Sequence, residues 1–144
     1  MKKKTIILRH AGNDGLLASS VAAKLRQAHF GKSVVILAST LPDADATVEA
    51  LERVFKQKAI RTDFLAGKPH PHDTDKVVSL VDQYSEEVAI LVTHMDYAYA
   101  LPTAVSKHFG FADPVEPRNI KPGKYRTIKT SRHVVVEAAG LEVL

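Results

Sequence analysis

The sequence predicts an α/β fold, a three-layer αβα sandwich around a mostly parallel sheet, with a C-terminal β-hairpin. Three observations predict it. Four short β-branched or apolar runs are each followed by a polar break and then a stretch of helical periodicity. Three of the runs are apolar on successive residues, the pattern of strands covered on both faces. After residue 113 the grammar changes to prolines, a glycine and two β-branched runs. A repeated β-then-α order gives parallel strands with right-handed crossovers and helices on both sides of the sheet.

Taken in order, Thr5-Ile6-Ile7-Leu8 is the first strand, and Leu16, Leu17, Val21, Leu25 and Phe30 mark the first helix. Val34-Val35-Ile36-Leu37 is the second strand, followed by a helix marked by Val48, Leu51, Val54 and Phe55. A weaker third strand is read at Ala59 to Phe64, and Val77, Val78, Leu80 and Val81 suggest a helix beyond the Pro69-His70-Pro71-His72 loop. Val88-Ala89-Ile90-Leu91-Val92 is the fourth strand, leading into a helix from Tyr97 to Phe109. Pro114, Pro117, Pro122 and Gly123 mark a loop. Tyr125-Arg126-Thr127-Ile128 and Val134-Val135-Val136 then form the hairpin, with Lys129 to His133 as its turn.

The chain has 144 residues and 15.8 kDa, so a single domain over residues 1–144 is expected. Hydrophobic residues make up 45% and charged residues 25%, which fits a globular chain and neither a disordered nor a membrane protein. There is no cysteine, which excludes a disulfide scaffold, a thiol nucleophile and thiolate metal centres. Seven histidines are the unusual resource. The net charge of +4 and pI of about 9.3 leave room for an anionic partner. Met1-Lys2-Lys3-Lys4 begins like a signal peptide, but Arg9 interrupts the apolar stretch after Leu8, so a cytoplasmic location is expected.

In an open α/β sheet, ligands bind beyond the carboxyl ends of the strands. Those positions here are Arg9-His10, Ser39-Thr40 and Thr93-His94. Parallel strands would gather them around one crevice. An arginine, two histidines and the Ser39 and Thr40 hydroxyls suit a phosphoryl group, because guanidinium binds phosphate oxygens in bidentate fashion and helix N-termini add amide donors.

Leu8-Arg9-His10-Ala11 resembles the Arg-His-Gly or Arg-His-Ala signature of the histidine phosphatase superfamily, the phosphoglycerate-mutase-like proteins, and particularly their short phosphohistidine-phosphatase branch. Ala38 to Thr47 is similar to that family's second motif, usually Ser-Pro-Leu-x-Arg-Ala-x-Gln-Thr, and Leu91-Val92-Thr93-His94 to the strand carrying its second histidine. The resemblance spans roughly residues 5 to 137 and implies one histidine-phosphatase-like domain. It further implies a hydrolase acting on phosphohistidine or a small phosphomonoester, with His10 as the transiently phosphorylated nucleophile. Arg9 and His94 would hold the phosphoryl oxygens, and Ser39, Thr40 and Asp43 would line the phosphate pocket. No cofactor and no metal are implied, and the expected partner is a phosphorylated small molecule or a phosphohistidine protein, with neither nucleic acid nor membrane.

Two departures matter. Asp43 stands where the family places a phosphate-clamping arginine, and Thr40 stands for the usual proline. Asp43 could instead cap the second helix, and Lys24, Arg53 and Arg132 are candidates to replace the missing cation. The general acid is the second gap: Asp96 is the candidate, with Asp73 and Asp75 behind it, while an N-cap of the fourth helix is the other reading of Asp96. A catalytically weak or inactive relative serving as a binding or regulatory module is therefore the alternative function. Elsewhere, His70-Pro71-His72-Asp73 offers ligand types for zinc or manganese, but two prolines in a polar loop read more simply as a turn. Arg118 to His133 is basic, yet Tyr125 alone makes no base-stacking platform, and a solvated hairpin whose lysines protect an edge strand fits better.

Overall fold

Alternating apolar runs fix the architecture of the computed structural model, which describes residues 4–70, 72–131 and 134–139, with side chains as far as residue 129. Chain order is β1 (Lys4–Arg9), α1 (Gly15–Ala28), β2 (Val34–Ser39), α2 (Asp45–Phe55), β3 (Ile60–Thr62), α3 (Asp73–Asp82), β4 (Val88–Thr93), α4 (Met95–His108), β5 (Tyr125–Ser131) and β6 (Val134–Ala139). The six strands form one sheet in the order β3-β2-β4-β1-β5-β6. β1 through β4 are mutually parallel where they pair, and β5 and β6 run antiparallel at one side.

Successive residues of each central strand point to opposite faces, so a continuous apolar run feeds two cores. Ile6, Leu8, Ile36, Ala38, Ile90 and Val92 pack with Val21 and Leu25 of α1 and Val48 and Leu51 of α2. Ile7, Val35, Leu37, Ala89 and Leu91 pack with Val77 and Val81 of α3 and Leu101 and Val105 of α4. Each fully buried branched aliphatic side chain contributes roughly 1.5–3 kcal/mol relative to exposure. The three-layer expectation is met, with helices paired on the two faces.

Several local expectations shift. Leu16 and Phe30 are 87% and 75% exposed, so they do not belong to the buried stripe of α1. Asp14 caps α1 by accepting from the Leu17 amide, and the helix ends at His29, before Phe30. The Phe30 ring instead carries the Arg26 guanidinium 4.6 Å above it. The third strand shortens to three residues because Asp63–Leu65 coil into a single 3-10 turn, capped by the Thr62 side chain. Lys129 to Ser131 pair with β6 rather than forming the hairpin turn; Arg132 and His133 lie outside the described residues.

The hairpin does carry an edge strand, β6, while β5 lies between it and β1. The basic hairpin is accordingly less solvated than expected: Arg126 is 1% exposed and its Nη1 donates to the Glu116 carbonyl. Among the described residues, no helix is long and apolar enough to cross a membrane.

Candidate functional site

The carboxyl ends of β1, β2 and β4 meet at one edge of the sheet. Register sets Arg9 level with Thr93, and the His10 amide continues the ladder by donating to the Thr93 carbonyl at 3.0 Å. β2 pairs on the other side of β4, with Ala38 level with Val92. This places the imidazoles of His10 and His94 edge to face, with centroids 4.7 Å apart and planes at 73°.

Each imidazole is held from behind. The Gly12 amide donates to His10 Nδ1 at 3.0 Å, and Gly12 adopts φ 64°, a conformation glycine accepts without strain. Ala11 is tied to α2, its amide donating to Thr47 Oγ1 at 2.8 Å in the buried layer. His94 Nε2 lies 2.7 Å from Ser39 Oγ, which also accepts from the Leu41 amide at 3.1 Å. Ser39 is fully buried, so this hydroxyl orients His94 from inside the protein.

Asp43 decides the character of the site. It sits in a single 3-10 turn, Pro42–Ala44, and caps nothing: the N-cap of α2 is Ala44, without a side-chain bond. The capping expectation is therefore overturned. The carboxylate instead lies 3.6 Å from His10 Nε2 and 3.7 Å from His94 Nδ1. With Nδ1 of His10 accepting from Gly12, the neutral ring carries its proton on Nε2 and aims it at Asp43. A backbone amide thus fixes the ring.

The other expected residues divide. Arg9 flanks His10, and its Nη1 donates to the Ile120 carbonyl at 2.8 Å. Its backbone is clamped by the following loop, with Arg9 N to Lys124 O at 3.1 Å and Gly123 N to Arg9 O at 2.9 Å. Gly123 has φ 75°, and a Cβ there would lie 2.7 Å from Leu17. Thr40 turns away, its hydroxyl donating to Asp63. Asp96 lies in the first turn of α4, whose N-cap position is taken by His94, so its capping reading is also overturned. Asp73 accepts from the His70 amide and Asp75 faces His72, contacts within their own segment. Lys24 and Arg53 are exposed on the later turns of α1 and α2, away from the helix starts at this edge, and Arg132 lies outside the described residues. His70, His72 and Asp73 form no converging ligand group among the described residues.

Arg61 was not anticipated. From β3 its Nη1 reaches the Ser39 carbonyl and Asp45, both at 2.9 Å, so it braces the end of β2. Nothing in its sequence context signals this, because β3 is too short to show a pattern. The roles of Gly12 and Thr47 have a local signal, since both belong to or adjoin the motifs around His10 and Asp43.

The His10 pKa is lowered from 6.5, chiefly by burial and then by His94, with Arg9 adding slightly; Asp43 opposes them. The unfolded chain thus binds a proton near pH 6.5 that the folded ring resists. This contribution to stability is fully present above pH 6.5 and is lost as pH falls from there toward the lowered folded value. In an NMR titration, His10 should show an apparent pKa below 6.5, and Asp43→Asn should lower it further; an increase on removing Asp43 would contradict the arrangement.

No family model matches the sequence, and no curated protein sequence matches it. Solved structures do match. A candidate phosphohistidine phosphatase, SixA from Agrobacterium tumefaciens, has a TM-score of 0.65 at 15% identity over 90% of this chain and 93% of that one. A mycobacterial glucosyl-3-phosphoglycerate phosphatase in complex with VO3 has a TM-score of 0.71 at 15% identity, covering 95% and 98%. A candidate alpha-ribazole-5'-P phosphatase from Escherichia coli has a TM-score of 0.68 at 9% identity, covering 96% of each chain. The fold is that of the histidine phosphatases, short SixA-like members included, as the Arg9-His10 motif led one to expect.

Proposed function

We propose that a chain with this fold is a phosphohydrolase of the histidine phosphatase type, acting on phosphohistidine or a small phosphomonoester through a phosphohistidine intermediate at His10. The observation that carries the reading is the pair of imidazoles 4.7 Å apart at the ends of neighbouring parallel strands, with Arg9 beside them. Phosphoryl transfer asks a protein mainly for positioning and charge. His10 Nε2 attacks phosphorus as the bond to the leaving group breaks, and water then releases inorganic phosphate and restores the imidazole. Attack requires a lone pair on Nε2, so His10 reacts as the tautomer with its proton on Nδ1, at the cost of the Gly12 amide contact. Arg9 and His94 stabilise the equatorial oxygens.

Asp96 is the proposed acid for an ester substrate. A phosphohistidine substrate demands less of it, because imidazole departs more readily than an alkoxide, and this favours phosphohistidine. The reaction itself calls for no cofactor, no nucleic acid and no membrane, and fits a cytoplasmic setting. Incubation with phosphoramidate in the presence of a chelator should place one acid-labile phosphoryl group on His10, and His10→Asn should remain unlabelled. Absence of label together with no turnover across a panel of phosphate esters overturns the reading.

The position of Asp43 favours a second reading, a catalytically weak or inactive binding module. Its carboxylate lies against both histidines, where its charge would repel a phosphate's oxygens. Efficient turnover by the native chain excludes it.

A further inference from the structure

The geometry points to a divalent transition-metal site, of the kind that takes zinc, formed by His10 Nε2, His94 Nδ1 and a carboxylate oxygen of Asp43. The inference stands whether or not the same histidines transfer phosphate. The three ligand atoms lie within 4.8 Å of one another, and no other group of three such side chains converges among the described residues.

Spacing is the first argument. The two carboxylate oxygens divide between the nitrogens, Oδ2 3.6 Å from His10 Nε2 and Oδ1 3.7 Å from His94 Nδ1, both beyond the usual hydrogen-bond range of about 2.7–3.2 Å. Ligand atoms each about 2.0–2.1 Å from a tetrahedral zinc are roughly 3.3–3.4 Å apart. Each Asp43 contact is thus within a few tenths of an ångström of the spacing across a shared ion, which the carboxylate can meet with one oxygen or with both. Ligand atoms within 4.8 Å of one another need to close by no more than about 1.5 Å.

Chemistry is the second. Two imidazoles and one carboxylate suit zinc, iron or nickel, and three protein ligands leave a position for water or an anionic ligand. An ion here supplies positive charge where the resemblance led one to expect an arginine and Asp43 stands instead. Outer partners also exist: Ser39 Oγ, 2.7 Å from His94 Nε2, can accept a hydrogen bond from Nε2–H and so leave the Nδ1 lone pair for the ion. Access is open from one side, since the Asp43 side chain is 59% exposed while the His10 and His94 side chains are 15% and 14% exposed.

Loading has one definite cost. Nε2 of His10 must give up its proton, which moves to Nδ1, and the Gly12 amide then loses its acceptor at 3.0 Å. Metal binding therefore reports itself as a tautomer change at His10.

The test uses the full chain, stripped with chelator and titrated with cobalt(II) and zinc. One equivalent should bind, cobalt should give the visible absorption of a low-coordinate site, and zinc should move the His10 proton to Nδ1 in nitrogen-15 NMR. Asp43→Asn and His94→Gln should each weaken binding by at least about tenfold, the smaller loss associated with even an outer partner of a metal site. Asp43 is surface-accessible, so its variant should keep the native circular dichroism. Failure to retain any ion overturns the inference, as does binding unchanged in both variants. Because His10 phosphorylation is measured in chelator, its failure and the failure of metal binding are separate results.

Discussion

Asp43→Arg should raise the affinity of the His10–His94 site for inorganic phosphate by about ten- to a hundredfold. A unit charge pair at 4 Å is worth about 4 kcal/mol at an effective dielectric near 20. The Asp43 side chain is 59% exposed, so solvent screens much of that. Retaining a third to two-thirds leaves about 1.4–2.7 kcal/mol, which is the stated factor. Asp43→Asn should fall between native and arginine, since it removes repulsion without adding a donor pair. The same arginine should abolish cobalt binding, so one substitution moves the two ligands in opposite directions. Phosphate titration by phosphorus NMR reads the first effect and cobalt absorption the second. Unchanged phosphate affinity in Asp43→Arg would mean that position 43 does not face the anion site. If phosphoramidate labels His10 only in the arginine variant, the chain is a relative disarmed by its own carboxylate.

Ile90→Ala should cost about 2–5 kcal/mol, the range for removing a large aliphatic side chain from a core that cannot fully collapse. Ile90 is fully buried in β4, between Ile6 of β1 and Ile36 of β2, and packs toward α1 and α2. At roughly 2–4 °C per kcal/mol for a chain near this size, the melting temperature should fall on the order of 10 °C. Leu16→Ala is the matched control. Its side chain is 87% exposed despite its place in the apolar pattern, so the change should stay within about 0.5 kcal/mol. Equal losses in the two variants, measured by thermal or denaturant unfolding, would contradict the burial that defines the two cores.

The contrast between Ile90 and Leu16 shows what periodicity can convey. Continuous apolar runs read correctly as central strands because both faces of such a strand are covered, and no further information is needed. The helix stripe of α1 was legible, but its ends were not, because Asp14 capping and the break at His29 depend on one or two local hydrogen bonds each. β3 was overextended for the same reason: the Thr62 side chain diverts the chain into a 3-10 turn after three strand residues. That β6 rather than β5 forms the sheet's edge is set by pairing order, which is a tertiary property.

The candidate site divides along the same line. Local motif and strand position were enough to single out Arg9, His10, Ser39 and His94, because residues at the ends of parallel strands must share one edge. Direction of side chains was beyond the sequence. Thr40 is spent on Asp63, Arg61 arrives from a neighbouring strand to brace Ser39, and Asp43, read as a pocket residue or as a cap, stands against both imidazoles. The sequence by itself determined the strands, the layers and which two histidines would meet, through hydrophobic periodicity and strand order. Only the tertiary structure decided what stands between them, because the aim of a carboxylate and the tautomer of an imidazole are set by contacts among residues far apart in the chain.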